Sequence, residues 1–405
     1  MTGTTRPVPH DPALPGLRAL LPEYGAPGFV ADAVGEPDPG AATVRYVRWW
    51  PLKHCTVLWA FPGKLVSGVL FARGRGERLV ARAAYRQLAS AHTYRYLPER
   101  QLLLEQFPLD WKLPGLAFAV SARRVGDVLG VELSEAVPVS YKPWRRCVLH
   151  YRGHRSYFGK VFRHDGGEAM VERIAAVGRC APWRVAAPVS YVPAARLLLF
   201  EGVEGANEIS HMMGAGADVR EHMEGAARGL AAFRRLPAAG LPARSAETIL
   251  ARLEDDRGTL APVVPDVAAV VGVRLRELAE DARELPAERV GLAHGAFRHN
   301  QLLVRGPELV VLDLDGLCLA GEGLDPGTFL AGLDQTGVHR TKRREVFAAC
   351  AEHFAGALDA DPRWVAWHRA AAGVGLAMRE VFALHPRWHE RAEALLHPVA
   401  SPSLV

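Results

Sequence analysis

The order of hydrophobic and polar positions divides the chain into a β-rich first half and a helical second half. Residues 43–50, 55–61 and 65–72 are rich in β-branched and aromatic residues and are separated by Pro or Gly, which predicts three strands. A helix is predicted over 77–92. Apolar residues at helical spacing predict further helices over 167–178, 217–236, 246–257, 265–284, 342–358 and 364–384. We therefore expect an α+β protein with a β-rich lobe followed by a helical lobe.

Two blocks of the β-rich half resemble each other. The sequence WPLKHC begins at Trp50 and KPWRRC begins at Lys142, while GVLF begins at Gly68 and GKVF begins at Gly159. Either two short hairpins are similar by chance or a small β lobe is duplicated, and we favour the duplication. In that interpretation only the second copy carries a lysine, Lys160, at the end of its third strand.

These patterns predict four parts of the chain. Residues 1–40 are rich in Pro and Gly and, apart from a short helix expected near Leu17 to Leu21, are expected to form a loosely structured lead-in. Residues 41–137 form a cap lobe that we interpret as a degenerate copy of the next lobe. Residues 138–203 form the N-lobe, and residues 204–405 form a helical C-lobe, so that a cleft between two lobes is expected.

Composition excludes several classes of protein. The 405 residues carry a net charge of +5, and the basic residues are spread along the chain, so nucleic-acid binding is not indicated. No apolar run of about 18 residues and no basic-then-apolar leader is found, so we expect a cytoplasmic protein without a membrane segment. The five cysteines are far apart without a CxxC pair, which argues against a zinc site and a disulfide framework.

One segment carries the pattern most specific for chemistry. The sequence LAHGAFRHNQLLV begins at Leu292, and after RGP the sequence LVVLDLD runs from Leu309 to Asp315. This is a polar loop, a strand, a tight turn and a second strand that ends in two carboxylates. A hairpin of this kind presents the loop and the acidic strand end on the same side.

The segment resembles the aminoglycoside phosphotransferase family. The family loop reads His-Gly-Asp, four intervening residues and Asn, and a hydrophobic hairpin then leads to Asp-x-Asp. His294, Gly295, Asp313 and Asp315 match this pattern. The resemblance covers roughly 138–400 and implies a bilobal protein-kinase-like fold, while the preceding lobe resembles the cap of bacterial maltokinases in architecture only.

Two positions depart from the family pattern. Ala296 stands where the family has its catalytic Asp, and Gln301 stands where it has Asn. A missing general base costs about 10² to 10⁴ in rate. Three hypotheses follow: the protein is a natural pseudokinase, Ala296 replaces an original aspartate, or another side chain such as His299 or Asp315 does the proton work.

The resemblance implies a nucleotide site built from residues of the N-lobe. Lys160 resembles the strand lysine that holds the α- and β-phosphates, with Glu168 or Glu172 as its helix partner. The segment from Glu201 to Val203 resembles the hinge whose backbone bonds the adenine. ATP or GTP is the expected nucleotide.

The resemblance also implies a Mg²⁺ site in the C-lobe. Asp313 is expected to bind the metal directly, with the amide oxygen of Gln301 and the carboxylate of Asp315, because Mg²⁺ prefers oxygen ligands. Asn300 is an alternative to Gln301. His294 is expected to be a structural hydrogen-bonding group in the catalytic loop, and Asp325 resembles the aspartate that braces that loop.

Two functions remain open at this point. One is an ATP- or GTP-dependent phosphotransferase acting on a hydroxyl of a small molecule or peptide, in an impaired form because of Ala296. The other is a nucleotide-binding pseudokinase that serves a protein partner, such as a biosynthetic enzyme or a precursor peptide. The late helices hold no marked cluster of Asp and Glu that would indicate a cationic antibiotic as acceptor.

A third, weaker hypothesis concerns the tryptophans of the cap lobe. Trp49, Trp50 and Trp59 would anchor a peptide if they were exposed. Burial of at least two of them in the lobe's own core is the simpler expectation.

Overall fold

The computed structural model describes residues 8–23, 25–186, 188–238 and 240–397. Close packing divides the chain into two units. The first unit comprises Met1–Ala169, Pro188–Gly202 and Glu380–Trp388, and the second comprises Met170–Ala187, Val203–Arg379 and His389–Val405. Strands are numbered β1–β17 and helices α1–α15 in chain order below.

The first unit contains two antiparallel five-stranded sheets. The first sheet consists of β1 (Thr43–Trp50), β2 (His54–Phe61), β3 (Lys64–Phe71), β4 (Tyr94–Leu97) and β5 (Leu102–Gln106). The second consists of β6 (Leu133–Lys142), β7 (Arg146–Gly153), β8 (Tyr157–Phe162), β10 (Pro188–Val192) and β11 (Leu197–Glu201). The helices whose residues lie wholly in this unit are α1 (Leu17–Leu20), α2 (Gly28–Ala33), α3 (Arg75–Val80), α4 (Ala83–Ala89), α5 (Leu116–Ala119) and α6 (Ala122–Leu129).

The two sheets have the same strand order. The neighbours are β1-β2-β3-β5-β4 in one sheet and β6-β7-β8-β11-β10 in the other. Their turns also agree, because Leu52 (φ 60°) and Trp144 (φ 64°) take left-handed conformations in the first hairpin of each sheet. Gln101 (φ 52°) and Arg196 (φ 47°) also take left-handed conformations, directly before β5 and β11 respectively. Non-glycine residues adopt this conformation uncommonly, so the shared turns support a duplicated lobe.

A glycine is required at the same place in both sheets. A Cβ added to Gly68 would lie 2.5 Å from the ring of Trp59, and one added to Gly159 would lie 2.7 Å from the ring of Tyr151. Both aromatic side chains are fully buried. The close approach of ring to backbone is therefore common to the two lobes.

We expect Gly68→Ala and Gly159→Ala to destabilise the protein by similar amounts, about 1 to 3 kcal/mol each, because each methyl overpacks a rigid ring contact. Urea unfolding of the two variants would measure the loss. Gly28→Ala is the matched control, because nothing lies within 4 Å of a Cβ at that position. A neutral result at Gly68 or Gly159 would contradict the equivalence of the two lobes.

The lead-in is more ordered than expected from its sequence. Leu14 and Leu17 are buried, and the Asp11 carboxylate accepts a hydrogen bond from Trp49 Nε1 at 2.9 Å. The prediction of loose structure is wrong for the described residues after Pro7, because these apolar side chains pack on the first unit instead of remaining in solvent.

The tryptophans do not form an exposed anchor surface. Trp49 and Trp59 are fully buried, and Trp50 is half-buried and stacks on Phe382 with ring centroids 6.5 Å apart. The peptide-anchor hypothesis is therefore wrong, and the three rings belong to the packing of the first unit.

A buried carboxylate pair lies in the first unit. Asp110 accepts hydrogen bonds from Tyr141 Oη at 3.0 Å and from the Trp144 backbone N–H at 2.8 Å. The nearby Glu105 accepts one from Trp144 Nε1 at 3.0 Å. Burial, together with the Asp110 charge, raises the pKa of Glu105 to about 8. Because Asp110 receives more donors, Glu105 is the member that carries the proton at neutral pH.

This pair predicts a pH dependence of stability. The pKa of Glu105 in the folded protein lies above the ordinary carboxyl value of 4.5, so the unfolded chain releases this proton first as pH rises. The free energy of unfolding should therefore fall as pH rises from 4.5 towards 8, with a slope of at most about 1.4 kcal/mol per pH unit.

Urea unfolding at several pH values would measure this slope. Glu105→Gln should flatten the profile, whereas Glu99→Gln, which changes an exposed carboxylate, should leave it unchanged. Equal slopes for wild type and Glu105→Gln would show that another group is responsible.

The second unit is mostly helical and has two small sheets. The sheets have the orders β12-β15-β16-β9 and β13-β17-β14. Their strands are β9 (Arg184–Val185), β12 (Asn207–Glu208), β13 (Ala243–Arg244), β14 (Val290–Ala293), β15 (Leu302–Arg305), β16 (Glu308–Val311) and β17 (Cys318–Gly321). The remaining helices of the chain are α7 (Gly167–Gly178), α8 (Ile209–Ala215), α9 (Arg220–Arg234), α10 (Ala246–Leu260), α11 (Pro265–Glu284), α12 (Leu324–His339), α13 (Arg344–Gly356), α14 (Pro362–Ala383) and α15 (Trp388–Leu396).

The helices match the periodic pattern closely where they are long. The predicted helix over 265–284 is observed with the same bounds, whereas the one over 77–92 breaks between α3 and α4 at Ala81 and Arg82. In the described part of the chain, no helix combines the length and apolar character needed to cross a bilayer.

Candidate functional site

The loop over 294–301, called the catalytic-loop segment below, connects β14 to β15 and is anchored in the core of the second unit. Phe297 is fully buried, and its ring centroid lies 5.7 Å from that of Trp183 and 5.5 Å from that of Phe329. These contacts fix the backbone next to Ala296, so that its position does not depend on the small alanine side chain.

Asp325, in the first turn of α12, braces the beginning of this segment. Its carboxylate oxygens accept hydrogen bonds from the backbone N–H groups of His294 at 2.6 Å and Gly295 at 2.9 Å. Burial raises the pKa of Asp325, and the nearby His294 and the backbone N–H donors counteract part of that rise. The arrangement is the one that the family resemblance implies for this residue.

His294 joins the catalytic-loop segment to the acidic end of the hairpin. Its Nε2 lies 2.9 Å from the Leu312 carbonyl oxygen, so this nitrogen must carry the proton and donate it. The ring is fully buried. This geometry supports a structural role for His294 rather than a role as an acid or base.

Gly295 occupies a position that no other residue fits. Its φ is +78°, and a Cβ would lie 2.1 Å from the Gly316 carbonyl oxygen. The Gly295 carbonyl in turn accepts a hydrogen bond from Arg244 Nη1 at 2.5 Å. The backbone next to position 296 is therefore held from both sides.

The hairpin brings Gln301 and Asp313 together. Leu302 of β15 lies opposite Val311 of β16, so the residues that flank this pair leave the sheet at one end. Gln301 Nε2 donates a hydrogen bond to Asp313 Oδ2 at 3.2 Å. The predicted convergence of the polar loop and the acidic strand end is observed here.

The donor set at this end fits a hard cation. Gln301 Oε1 is buried and has no hydrogen-bond partner among the described residues, and it belongs to the side chain that contacts the Asp313 carboxylate. The Asn300 side chain is exposed, which favours Gln301 as the amide ligand. Asp315 is half-buried in the short turn that follows. An amide oxygen with one or two carboxylates is a typical protein contribution to a Mg²⁺–phosphate site.

No cluster of three or more His, Cys, Asp or Glu side chains suited to a metal is found within residues 8–23, 25–186, 188–238 and 240–397. The ligand set around Asp313 would be completed by water and by phosphate oxygens of a nucleotide.

Lys160 lies in β8 of the first unit. It is 7% exposed and pairs across the sheet with Val148 and Leu198. Glu172 is exposed on α7, as is Glu168. An ion pair between Lys160 and either glutamate stays a prediction.

The predicted hinge begins at the end of β11. Glu201 is exposed and forms an ion pair with Arg155 at 3.0 Å, and the Gly202 N–H donates to the Ser156 carbonyl at 2.7 Å. The chain passes from the first unit to the second between Gly202 and Val203. Adenine binding by the backbone of this segment stays a prediction.

A cavity of about 350 Å³ in the second unit is bordered by the catalytic-loop segment. Ala296 lines it, and α10 and α14 contribute much of the rest of its wall. Sequence reasoning did not identify this wall, since residues of β13, α10 and α14 meet there without any shared motif. Four arginines belong to its lining: Arg244, Arg252, Arg298 and Arg379.

Neither suggested substitute for the missing base lines this cavity. His299 and Asp315 are absent from its described lining. His299 Nε2 lies 3.1 Å from Thr336 Oγ1, and burial, with the charges of Arg298 and Arg340, lowers the pKa of His299 to about 4. His299 is therefore a weak base that contacts α12.

The paired β sheets, the braced loop and the helical unit define a protein-kinase-like fold of the aminoglycoside phosphotransferase type. The structure is similar to the apo form of a thermostable mutant of aminoglycoside phosphotransferase APH(4)-Ia. The identity is 14%, 68% of this chain and 98% of the other are covered, and the TM-score is 0.50. The resemblance seen in the sequence is confirmed at the level of the fold.

Two further solved structures are similar. A glucosamine kinase is 16% identical over 90% of this chain and 95% of its own, with a TM-score of 0.46. A thermostable APH(4)-Ia mutant in ternary complex with ADP and hygromycin B is 14% identical over 69% of this chain and 99% of its own, with a TM-score of 0.49. No protein-family model and no curated protein matches the sequence.

Proposed function

We propose that the chain binds a nucleoside triphosphate with Mg²⁺ in a site built for phosphoryl transfer from ATP or GTP to a hydroxyl group. The observation that carries this proposal is the contact of Gln301 with Asp313 beyond the hairpin, with an amide oxygen left without a hydrogen-bond partner. The braced catalytic-loop segment and the phosphotransferase-type fold support the same conclusion.

The nucleotide-binding residues of this proposal come from the first unit and the hinge. The Lys160 ammonium would neutralise the α- and β-phosphates, with Glu172 as its partner, and the backbone from Glu201 to Val203 would bond the base. Lys160 is buried in a strand of largely apolar residues, and its compact ammonium is a typical partner for phosphate oxygens.

The metal ligands of this proposal come from the second unit. Asp313, Gln301 and Asp315 would hold Mg²⁺, which when bound supplies charge neutralisation on the transferred phosphoryl group. Asp325 and His294 do not contact the metal in this proposal. They hold the loop and the acidic strand end in one geometry, and such positioning accounts for much of the catalysis in phosphoryl transfer.

Ala296 decides how active this form is. Its methyl group cannot orient the acceptor hydroxyl or accept its proton, so we interpret the chain as an impaired form of a phosphotransferase that acts on a small molecule or peptide. The second candidate is a pseudokinase that binds nucleotide and serves a protein partner. The same methyl group favours it, because neither His299 nor Asp315 belongs to the described lining of the cavity beside Ala296.

In this proposal the two β lobes of the first unit have different roles. Residues 41–137 would be a cap lobe descended from the N-lobe of residues 138–203, and 204–405 would be the C-lobe. Val69 occupies the strand position of the cap lobe that corresponds to Lys160, since each lies one residue after the glycine shared by the two sheets. The cap lobe would therefore not bind triphosphate. A nucleotide-dependent activity fits a cytoplasmic location.

Mg-ATP and Mg-GTP should each be tested for stabilisation of the protein as it stands. A ligand that binds only the folded state stabilises it by about 2.7 kcal/mol at a hundredfold excess over its Kd. Melting temperature recorded during a nucleotide titration should therefore keep rising with concentration into the millimolar range.

Asp313→Asn should abolish this rise, because it removes the carboxylate that holds the metal. Glu308→Gln is the matched control, since it changes a half-buried carboxylate at the other end of the same hairpin and should keep the rise. No rise with either nucleotide at millimolar concentration would count against the kinase-type site as a whole.

Ala296→Asp should create or raise nucleotide-dependent phosphorylation of an acceptor, by about 10² to 10⁴ over the parent. Transfer of labelled γ-phosphate to a panel of hydroxyl compounds and peptides would measure it. Ala296→Asn is the matched control, because it has the size of Asp without its basicity. If Ala296→Asp binds nucleotide yet phosphorylates nothing in the panel, the pseudokinase is the better description.

A further inference from the structure

The wall of the cavity beside Ala296 has an unusual charge balance. Four arginines line it, and none of its lining residues in the described chain is Asp or Glu. Its one histidine, His368, has Nε2 at 3.0 Å from the carboxylate of Glu288, a residue outside the described lining. The four guanidinium groups therefore dominate the electrostatics inside it.

Two of these arginines lack an acidic partner. Arg298 is half-buried, and among the described residues its one hydrogen bond runs from Nη2 to Gln335 Oε1 at 3.3 Å. Burial lowers the pKa of Arg298. Arg252 is exposed on α10 and has no hydrogen bond or ion pair in the described part of the chain. A desolvated guanidinium with only an amide partner is stabilised by any anion that reaches it.

Other arginines of the second unit are matched by carboxylates. Arg234 pairs with Glu322 at 3.0 Å, and Arg369 pairs with Asp334 at 2.7 Å. Arg257, five residues after Arg252 on the same helix, pairs with the Glu254 carboxylate at 2.5 Å. At these three positions a carboxylate balances the guanidinium charge, whereas no carboxylate belongs to the described lining of the cavity.

The guanidinium of Arg244 is held in a fixed orientation by its bond to the Gly295 carbonyl. It thus lies beside the backbone that carries Ala296. Arginine presents planar pairs of N–H donors that match carboxylate and phosphate oxygens, and a cation of an aminoglycoside type would meet like charge here. The volume of about 350 Å³ is that of a site for a small molecule.

We propose that this cavity is the acceptor site of the proposed phosphotransferase and that it takes an acceptor bearing a carboxylate or phosphate group in addition to its hydroxyl. The assignment of the bound molecule as an acceptor rests on the proposed function. The preference for an anionic molecule rests on the cavity wall alone. The anionic group lies against Arg252 and Arg298, and the hydroxyl lies against position 296.

The proposal is tested by calorimetric titration of the full chain, without nucleotide, with four sugars of similar size. Glucose 6-phosphate and glucuronate carry the two anionic groups, glucose is neutral and glucosamine is cationic. At least one anionic sugar should bind tenfold or more tightly than glucose, and glucosamine should not bind. The two anionic arms show whether phosphate or carboxylate is the preferred group.

Arg252→Gln should weaken binding of the anionic sugar about tenfold, because one charge-assisted contact is lost at an exposed position that folding does not need. Arg252→Lys should keep part of the binding. Arg257→Gln is the matched control on the same helix and should leave the affinity unchanged, since its charge is already paired with Glu254.

Asp313→Asn separates this site from the triphosphate site. Anion binding that survives Asp313→Asn and falls in Arg252→Gln supports the cavity, even if the nucleotide titration fails and the phosphotransferase function is lost with it. Binding that is unaffected by Arg252→Gln, binding of glucosamine as tight as that of glucose 6-phosphate, or no binding of either anion at millimolar concentration would overturn the proposal.

Discussion

The candidate site depends on one buried carboxylate. Asp325 accepts the backbone N–H groups of His294 and Gly295, and so holds the start of the catalytic-loop segment against α12. Two N–H groups buried without an acceptor would each cost free energy comparable to a lost hydrogen bond. With the loop held in this way, the His294 ring reaches the Leu312 carbonyl and joins the loop to the acidic strand end. The metal-binding geometry proposed for Asp313 is built on this connection.

The same loop explains how the proposed site would keep its shape without an aspartate at position 296. Phe297 anchors the segment in the core and Gly295 provides a conformation open to glycine alone, so neither constraint involves the side chain at 296. Replacement of an aspartate by Ala296 would remove the proton acceptor and leave the backbone in place. Under the proposed function, nucleotide binding and phosphoryl transfer would therefore be separable, which is the condition for either an impaired enzyme or a pseudokinase.

The two sheets of the first unit share one strand order and one way of packing an aromatic ring against a strand. Both five-stranded sheets have the same order, and in each a glycine lets a buried aromatic ring approach the backbone. Sequence similarity was strong enough to suggest this only in two short stretches, because most positions of a β lobe tolerate exchange between apolar residues. Gly68 and Gly159 are kept because neither has space for a Cβ, whereas the left-handed turns recur with different residues, such as Leu52 and Trp144.

The sequence alone determined the fold class and the segment of the chain that forms the candidate site. Long periodic helices such as 265–284 and the loop-hairpin pattern ending in Asp313 are local signals, and both were found as expected. The tertiary structure decided those features that depend on contacts between residues distant in the sequence. Arg252 and Arg298 are distant in sequence, and only the packing of α10 against the loop places them around one cavity. The order of the lead-in was likewise settled by Asp11 and its bond to Trp49, since burial depends on partners that the segment itself does not encode.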